Sequence, residues 1–148
     1  MTTLTIKTVE YLAAIDPIKA IRTEVFQIEQ KVSEELEFDG LDETAIHLLA
    51  YLENQPVGTA RIRKIDNKTA KIERLSVLPK VRNKGIGKQL MVKAIEIITD
   101  QNYKEIVIHA QEYIKSLYQK LGFKQIGNTF EEANIPHVKM VKTLTENI

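Results

Sequence analysis

No cysteine occurs among the 148 residues. That excludes disulfides, thiolate metal sites and a cysteine nucleophile together. Apolar runs are short as well: none nears the ~18 residues of a membrane span, and no basic-then-apolar leader opens the chain. Membrane insertion and export are therefore not expected. Charge of either sign is not in excess, with 21 Lys and Arg against 20 Asp and Glu for a formal net +1. Such a balance gives no general attraction to nucleic acid or an anionic membrane. Repeats, low-complexity tracts and linkers are absent too. The expectation is one cytoplasmic, freely soluble domain over 1–148, whose 43% hydrophobic content suits a real core.

What is present concentrates in one stretch, Leu75-Ser-Val-Leu-Pro-Lys-Val-Arg-Asn-Lys-Gly-Ile-Gly-Lys-Gln-Leu90. A strand pattern ends at Pro79, a basic, glycine-bearing loop follows, and an amphipathic helix begins at once. A strand–loop–helix junction offers unpaired backbone N–H groups and the positive end of a helix dipole to an anion. Arg82, Lys84 and Lys88 add full charges, and Gly85 and Gly87 let a ligand approach the backbone closely. The chemistry this suits is binding a pyrophosphate. A Walker A loop is excluded, because Arg82 stands where its first Gly belongs and Gln89 where its Ser or Thr belongs. A dinucleotide fingerprint is excluded by Leu90 at its third Gly position.

Periodicity supplies the surrounding layout. Leu4 to Val9 reads as a strand. Ile18, Ile21, Val25, Ile28 and Val32 recur at helical spacing behind Asp16 as N-cap and Pro17 at the first helical position. After a polar loop, 45–52, 57–65 and 69–77 read as antiparallel strands joined at Glu53–Pro56 and Asp66–Asn67. Ile86, Leu90, Ala94 and Ile97 stripe a helix, and 106–109 is a short buried strand. A second helix runs to about Leu121 with Gly122 as its left-handed cap, and strands follow near 123–127 and 136–144. Strands, then strand–helix–strand, then strands again make a mixed α/β (α+β) sheet, not a doubly wound one.

Arg82-x-x-Gly85-x-Gly87 after a strand resembles motif A of the GNAT N-acetyltransferases. Tyr118-Gln-Lys-Leu-Gly-Phe123 resembles the superfamily's closing Tyr-x-x-x-Gly-Phe, at the right distance from the first motif. Val25–Gln30, Ile72–Val77, Ile108–Gln111 and Ile135–His137 are similar to the small bacterial ElaA/YjcF-like branch. The resemblance implies a central mixed, mostly antiparallel sheet flanked by helices, acetyl-coenzyme A as co-substrate and an amine acceptor. It implies no metal, and the three scattered histidines show no ligand pair at helical spacing. Homodimers are common in the superfamily, but no residue here identifies an interface.

Acetyl transfer to an amine needs a base for an ammonium whose reference pKa is near ~10. It also needs N–H donors for the oxyanion and an acid for the departing thiolate. Tyr118 sits where relatives use tyrosine as that acid, and a buried core tyrosine is the plainer alternative. The backbone of Leu75, Ser76 and Val77 would serve oxyanion and pantetheine. Arg82, Asn83, Lys84, Gly85, Ile86, Gly87 and Lys88 would hold the pyrophosphate. Gln111 stands seven residues before Tyr118, where relatives carry Asn on the pantetheine arm. Glu73 and His137 are the candidate bases, Glu73 being equally readable as an ion-pair partner of Arg61 or Arg63. His109 reads as core or support for the site, and His47 is assigned no role. Phe26, Glu29 and Arg61 are candidate substrate contacts, Arg61 for an acceptor carboxylate. The acidic run Glu34, Glu35, Glu37, Asp39, Asp42 and Glu43 would instead attract a cationic amine, unless it is simply a solvated loop. The reading is an N-acetyltransferase working by direct attack in a ternary complex. The alternatives are a non-catalytic acetyl-coenzyme A sensor and a module binding some other phosphate.

Overall fold

The computed structural model describes residues 3–144. Seven strands form one sheet: β1 (Leu4–Val9), β2 (Ile46–Leu52), β3 (Gln55–Lys64), β4 (Thr69–Val77), β5 (Glu105–Gln111), β6 (Lys124–Glu132) and β7 (Ile135–Thr143). Their order across the sheet is β1-β2-β3-β4-β5-β7-β6. Neighbours are antiparallel except β4 and β5, which run parallel. Four α-helices accompany them: α1 (Ile15–Arg22), the one-turn α2 (Glu34–Glu37), α3 (Ile86–Asp100) and α4 (Lys115–Lys120). Among the described residues no helix is long and apolar enough to cross a membrane.

Turn chemistry fixes the registers. Glu53 and Asn54 both take positive φ, 52° and 68°, as do Ala133 and Asn134 at 51° and 63°. These are the two-residue turns whose twist matches antiparallel strands, and they close β2–β3 and β6–β7. Gln55 and Pro56 therefore belong to β3, not to the turn. Asp66 Oδ1 accepts from the Lys68 and Thr69 amides at 2.8 and 2.9 Å, bending the chain from β3 into β4.

Helix α3 buries Ile86, Leu90, Met91, Ala94 and Ile98. This is the expected stripe, except that fully buried Ile98 takes the place of half-buried Ile97. Gly122 holds φ +95° just past α4, and an added Cβ would lie 2.5 Å from the Lys142 ammonium. That ammonium caps the helix by donating to the Leu121 carbonyl at 3.0 Å.

The first helix departs from expectation. It starts at Ile15 behind Ala14, whose side chain makes no cap, so Asp16 lies inside the first turn and is not the N-cap. After Arg22 the chain widens into a π-type winding over Thr23–Glu29, with the Gln30 amide bonded to the Val25 carbonyl at 3.1 Å. Each i→i+5 bond shifts the side-chain phase. Val25 is buried while Ile28 is 69% exposed, and Val32 falls beyond the helix. The same shift carries Phe26 and Gln30 into the cleft described next.

Candidate active site

Strands β4 and β5 pair only at Thr69–Glu105, Ala70–Ile106 and Lys71–Val107. Beyond that point β4 stays with β3 and β5 with β7, so the two parallel strands part. The opening is a cleft of about 770 Å³. Its β4 wall is irregular. Thr59 faces Ser76 and Arg61 faces Glu73, so Arg74 and Leu75 together oppose Ala60 in a bulge. Arg74 adopts φ +56°, which is strained for a non-glycine residue. Its guanidinium is tied to the Leu36 and Glu37 carbonyls at 3.1 and 3.3 Å and to Asp39 at 3.3 Å. The bulge leaves one residue outside the ladder, and Leu75, Ser76 and Val77 all line the cleft.

The loop after β4 forms the far wall. Asn83 and Gly85 take φ 65° and 77°, turning the chain tightly into α3. No acidic side chain stands in the first turn of α3 to offset its free N–H groups. Arg82, Asn83, Gly85, Ile86, Gly87 and Lys88 line the cleft, and Lys84 does not. Arg82 itself is engaged elsewhere. Its Nε donates to the Val77 carbonyl at 3.0 Å, and both Nη atoms meet the Glu29 carboxylate at 2.5 Å. Glu29 is thus a partner of the basic loop and not a free substrate contact. The hydrogen bond from Arg82 lowers the Glu29 pKa.

On the β5 side, Gln111 donates to Gln30 Oε1 at 3.0 Å, joining the two flanks of the cleft. Tyr118 is 6% exposed and packs edge-on to Phe123 at 6.4 Å between ring centroids. Its hydroxyl forms no hydrogen bond among the described residues, and the residue lines the cleft. Burial, with a smaller effect of Tyr113, pushes its pKa up to about 12. The group therefore holds its proton across all ordinary pH.

A polar cluster sits at the other end. His137 is 7% exposed, and its Nδ1 lies 2.7 Å from the Ile135 carbonyl. A carbonyl can only accept, so Nδ1 carries the hydrogen and the neutral ring keeps its lone pair on Nε2. That nitrogen is 3.7 Å from Glu132 Oε2. Glu132 Oε1 takes His109 Nδ1 at 3.1 Å. Lys71 lies 3.5 Å from the same His109 nitrogen.

Glu73 is placed quite differently. Its carboxylate meets Arg61 Nη2 at 2.8 Å, Lys71 at 3.4 Å and Arg63 Nε. Burial pushes its pKa up, but these cations outweigh that and hold it below the usual range. Glu73 meets both alternative partners, because in the regular register it lies directly opposite Arg61 and diagonal to Arg63 on the same face. A carboxylate held ionised by several cations is a weak proton acceptor.

Arg61 is fully buried and absent from the cleft wall. It bonds Asp39 through both Nη atoms at 2.9 Å and Asp42 at 3.0 Å, as well as Glu73. It cannot receive an acceptor carboxylate without unmaking this set. Arg22, equally buried, holds Glu37 at 2.5 Å and Asp42 at 2.6 Å. Half of the acidic run is consumed internally: Glu37, Asp39 and Asp42 neutralise Arg22, Arg61 and Arg74. Glu34, Glu35 and Glu43 stay exposed and do not line the cleft. Burial pushes Asp39 and Asp42 up, yet the arginine bonds win and hold both low. At Glu37 burial dominates and its pKa is raised. His47, in line with the absence of a role for it, bonds the Asp42 carbonyl at 2.8 Å beneath this network.

Sequence reading assigned no site role to Glu132, Lys71 or Gln30, and gave Arg63 only as a possible partner of Glu73. Glu132, Lys71 and Arg63 lie near hairpins and strand middles without a local motif, and only strand register brings them together. Phe26 reaches the cleft as expected.

Comparison with known proteins agrees with this geometry. The acetyltransferase (GNAT) domain family matches residues 11–144. YyaT of Bacillus subtilis is 39% identical, covering 98% of this chain and 99% of its own length. The N-acetyltransferase YjcF of the same organism is 33% identical over 82% of this chain and 87% of its own. The crystal structure of Escherichia coli ElaA superposes with a TM-score of 0.85 at 26% identity, covering 95% and 99% of the two chains. A GNAT family acetyltransferase from Elizabethkingia anophelis, solved with acetyl-CoA bound, shares the fold at a TM-score of 0.68 and 23% identity over 95% and 98%. This chain, with its parted parallel strands and its anion-receptive loop, belongs to the GNAT acetyltransferase family.

Proposed function

We propose that the protein moves the acetyl group of acetyl-coenzyme A to a primary amine of a small molecule or peptide. The amine attacks directly while both substrates are bound. The observation that carries this reading is the placing of three features in one cleft: the acid-free start of α3, the β4 bulge and Tyr118. The cleft fits the co-substrate. Tight positive-φ turns at Asn83 and Gly85 aim backbone toward it, and Lys88 stands within reach. The acetyl-CoA seen in the Elizabethkingia relative supports the same donor here.

Acetyl-coenzyme A supplies an activated thioester and a thiolate leaving group. Arg82, Asn83, Gly85, Ile86, Gly87 and Lys88 hold its pyrophosphate, and the strand edge at Leu75–Val77 orients the pantetheine. Backbone N–H groups of that bulge stabilise the negative charge that develops as the amine adds. Tyr118 donates to the sulfur. Burial raises the hydroxyl to about 12, so it carries the proton to be donated at any working pH. His137 accepts the amine proton at Nε2, the nitrogen its bond to the Ile135 carbonyl leaves unprotonated. Glu73 is the poorer base, since its carboxylate is already shared among cations.

The test is release of coenzyme A thiol from acetyl-coenzyme A across polyamines, amino sugars, amino acids and peptides. The absence of cysteine keeps the thiol assay free of background. Turnover with one amine class, and the acetylated amine in the mass spectrum, is the expected result. Tight binding of acetyl-coenzyme A with no turnover on any amine would replace the enzyme by a sensor.

A further inference from the structure

The charges in the acceptor half of the cleft are unevenly matched. Three cations, Arg61, Arg63 and Lys71, converge on the single carboxylate of Glu73. Arg63 and Lys71 face each other directly across β3 and β4. Like charges so placed repel, and the one carboxylate of Glu73, which touches both, offsets only one of them. Arg61 is satisfied by Asp39 and Asp42, but Arg63 is not: its Nε meets Glu73, and its two Nη atoms form no hydrogen bond among the described residues. Arg63 is 23% exposed on its side chain, so that free edge reaches solvent.

The nearby carboxylates each have partners other than Arg63. Asp66 accepts from two backbone amides, Glu105 from the Thr69 hydroxyl at 2.9 Å, and Glu132 from His109. Arg63, Lys71 and His109 line both the main cleft and an adjoining hollow of about 350 Å³, which Lys139 also borders. On Arg63 the capacity left open is the pair of Nη donors, which have no partner among the described residues. A guanidinium edge with two parallel N–H groups is the shape that a carboxylate or phosphate oxygen pair fills.

We propose that the acceptor carries an acidic group beside its amine, and that Arg63, assisted by Lys71, binds that group where β4 and β5 diverge. The inference rests on the acetyl-transfer reading and narrows its substrate class. An acidic group fits the open Nη edge of Arg63, whereas a polyamine would bring further positive charge against Arg63, Lys71 and Lys139.

The test compares four acceptors on one carbon skeleton: an ω-amino acid, its amide, its phosphonate analogue and the plain alkyl amine. Each is assayed for kcat/KM and titrated calorimetrically into the coenzyme A complex. The acid-bearing acceptors should exceed the amide by ~10-fold or more, the worth of one charged hydrogen bond. The carboxylate and phosphonate arms then tell which acid the edge prefers. Arg63→Gln should bring the acid-to-amide ratio close to one through KM, and Lys71→Gln should reduce it, with the thermal midpoint of each variant checking its fold. An amide or alkyl amine preferred by the wild type, or a ratio unchanged in both variants, overturns the proposal. If no amine reacts, the acetyl-transfer reading fails, and calorimetry alone decides whether Arg63 holds an acid.

Discussion

Arg82 has two claimants, the pyrophosphate of the co-substrate and the carboxylate of Glu29, and its fork can serve only one of them at a time. Both Nη atoms lie 2.5 Å from Glu29, and both side chains are 37% exposed. Water and salt therefore weaken the pair, which places it near ~0.5–1 kcal/mol. Turning the fork to a phosphate should yield ~1.5–3 kcal/mol of charged hydrogen bonding. The difference is what the wild type gains, about 0.5–2.5 kcal/mol. Glu29→Gln abolishes the competitor, so coenzyme A should bind ~2–5-fold more tightly. Arg82→Ala should cost more in the Glu29→Gln background than in the wild type, where part of the arginine's effect is cancelled. Isothermal titration of coenzyme A into the wild type, the two single variants and the double variant closes the cycle. Weaker binding by Glu29→Gln would refute the competition and make the pair a brace that shapes the loop. Equal costs of Arg82→Ala in both backgrounds would refute it too.

Other consequences follow from the charge network and the polar cluster. Arg61→Ala would leave Asp39, Asp42 and Glu73 without their shared cation, at ~3–5 kcal/mol. With ~2–4 °C per kcal/mol for a chain of this size, the thermal midpoint should fall by roughly 6–20 °C, and a drop of only a degree or so would show the network to be dispensable. Asp39, Asp42 and Glu73 are held below their ordinary values of 3.8, 3.8 and 4.5, so the unfolded chain binds their protons first. Their contribution is complete above those values and drains as pH falls toward the lower folded ones; raised Glu37 works in the opposite sense. Urea midpoints measured downward from neutrality should decline through pH 4, and less steeply in Arg61→Ala; parallel curves would contradict the assignment. His137→Asn keeps a donor for the Ile135 carbonyl but removes Nε2, so kcat/KM should drop ~10²–10⁴-fold with coenzyme A affinity retained. An unaltered rate would return the base role to another group.

The readable parts of this protein are those whose signal is local. The loop from Val77 to Lys88 declared itself through glycine spacing, basic residues and the immediate onset of α3. Gly122 was legible because a helix end with a required left-handed residue has few solutions. The acidic run was legible only as charge. Its partners Arg61 and Arg74 lie 19 to 37 positions away along the chain, and no periodicity shows which carboxylate meets which guanidinium. The π winding after Arg22 was hidden for a different reason. Helical spacing at Ile18, Ile21 and Val25 continued plausibly to Ile28, and only packing against β3 decides where the phase breaks. Glu132 gained its meaning from the β6–β7 turn, which sets it beside both His109 and His137. Glu73 shows the intermediate case, since its strand and its two candidate partners were evident while the register that sets it opposite Arg61 and diagonal to Arg63 was not.

The claim on which the account depends is that Tyr118 and the parted strands carry out acetyl transfer. It is tested most directly by following isotope-labelled acetyl from acetyl-coenzyme A to an amine, by mass spectrometry, in the wild type and in Tyr118→Phe. Label should appear on the amine nitrogen, and the variant should bind acetyl-coenzyme A as before while transferring it ~10²–10⁴-fold more slowly. Equal transfer by both proteins, or label that never leaves coenzyme A, would contradict it.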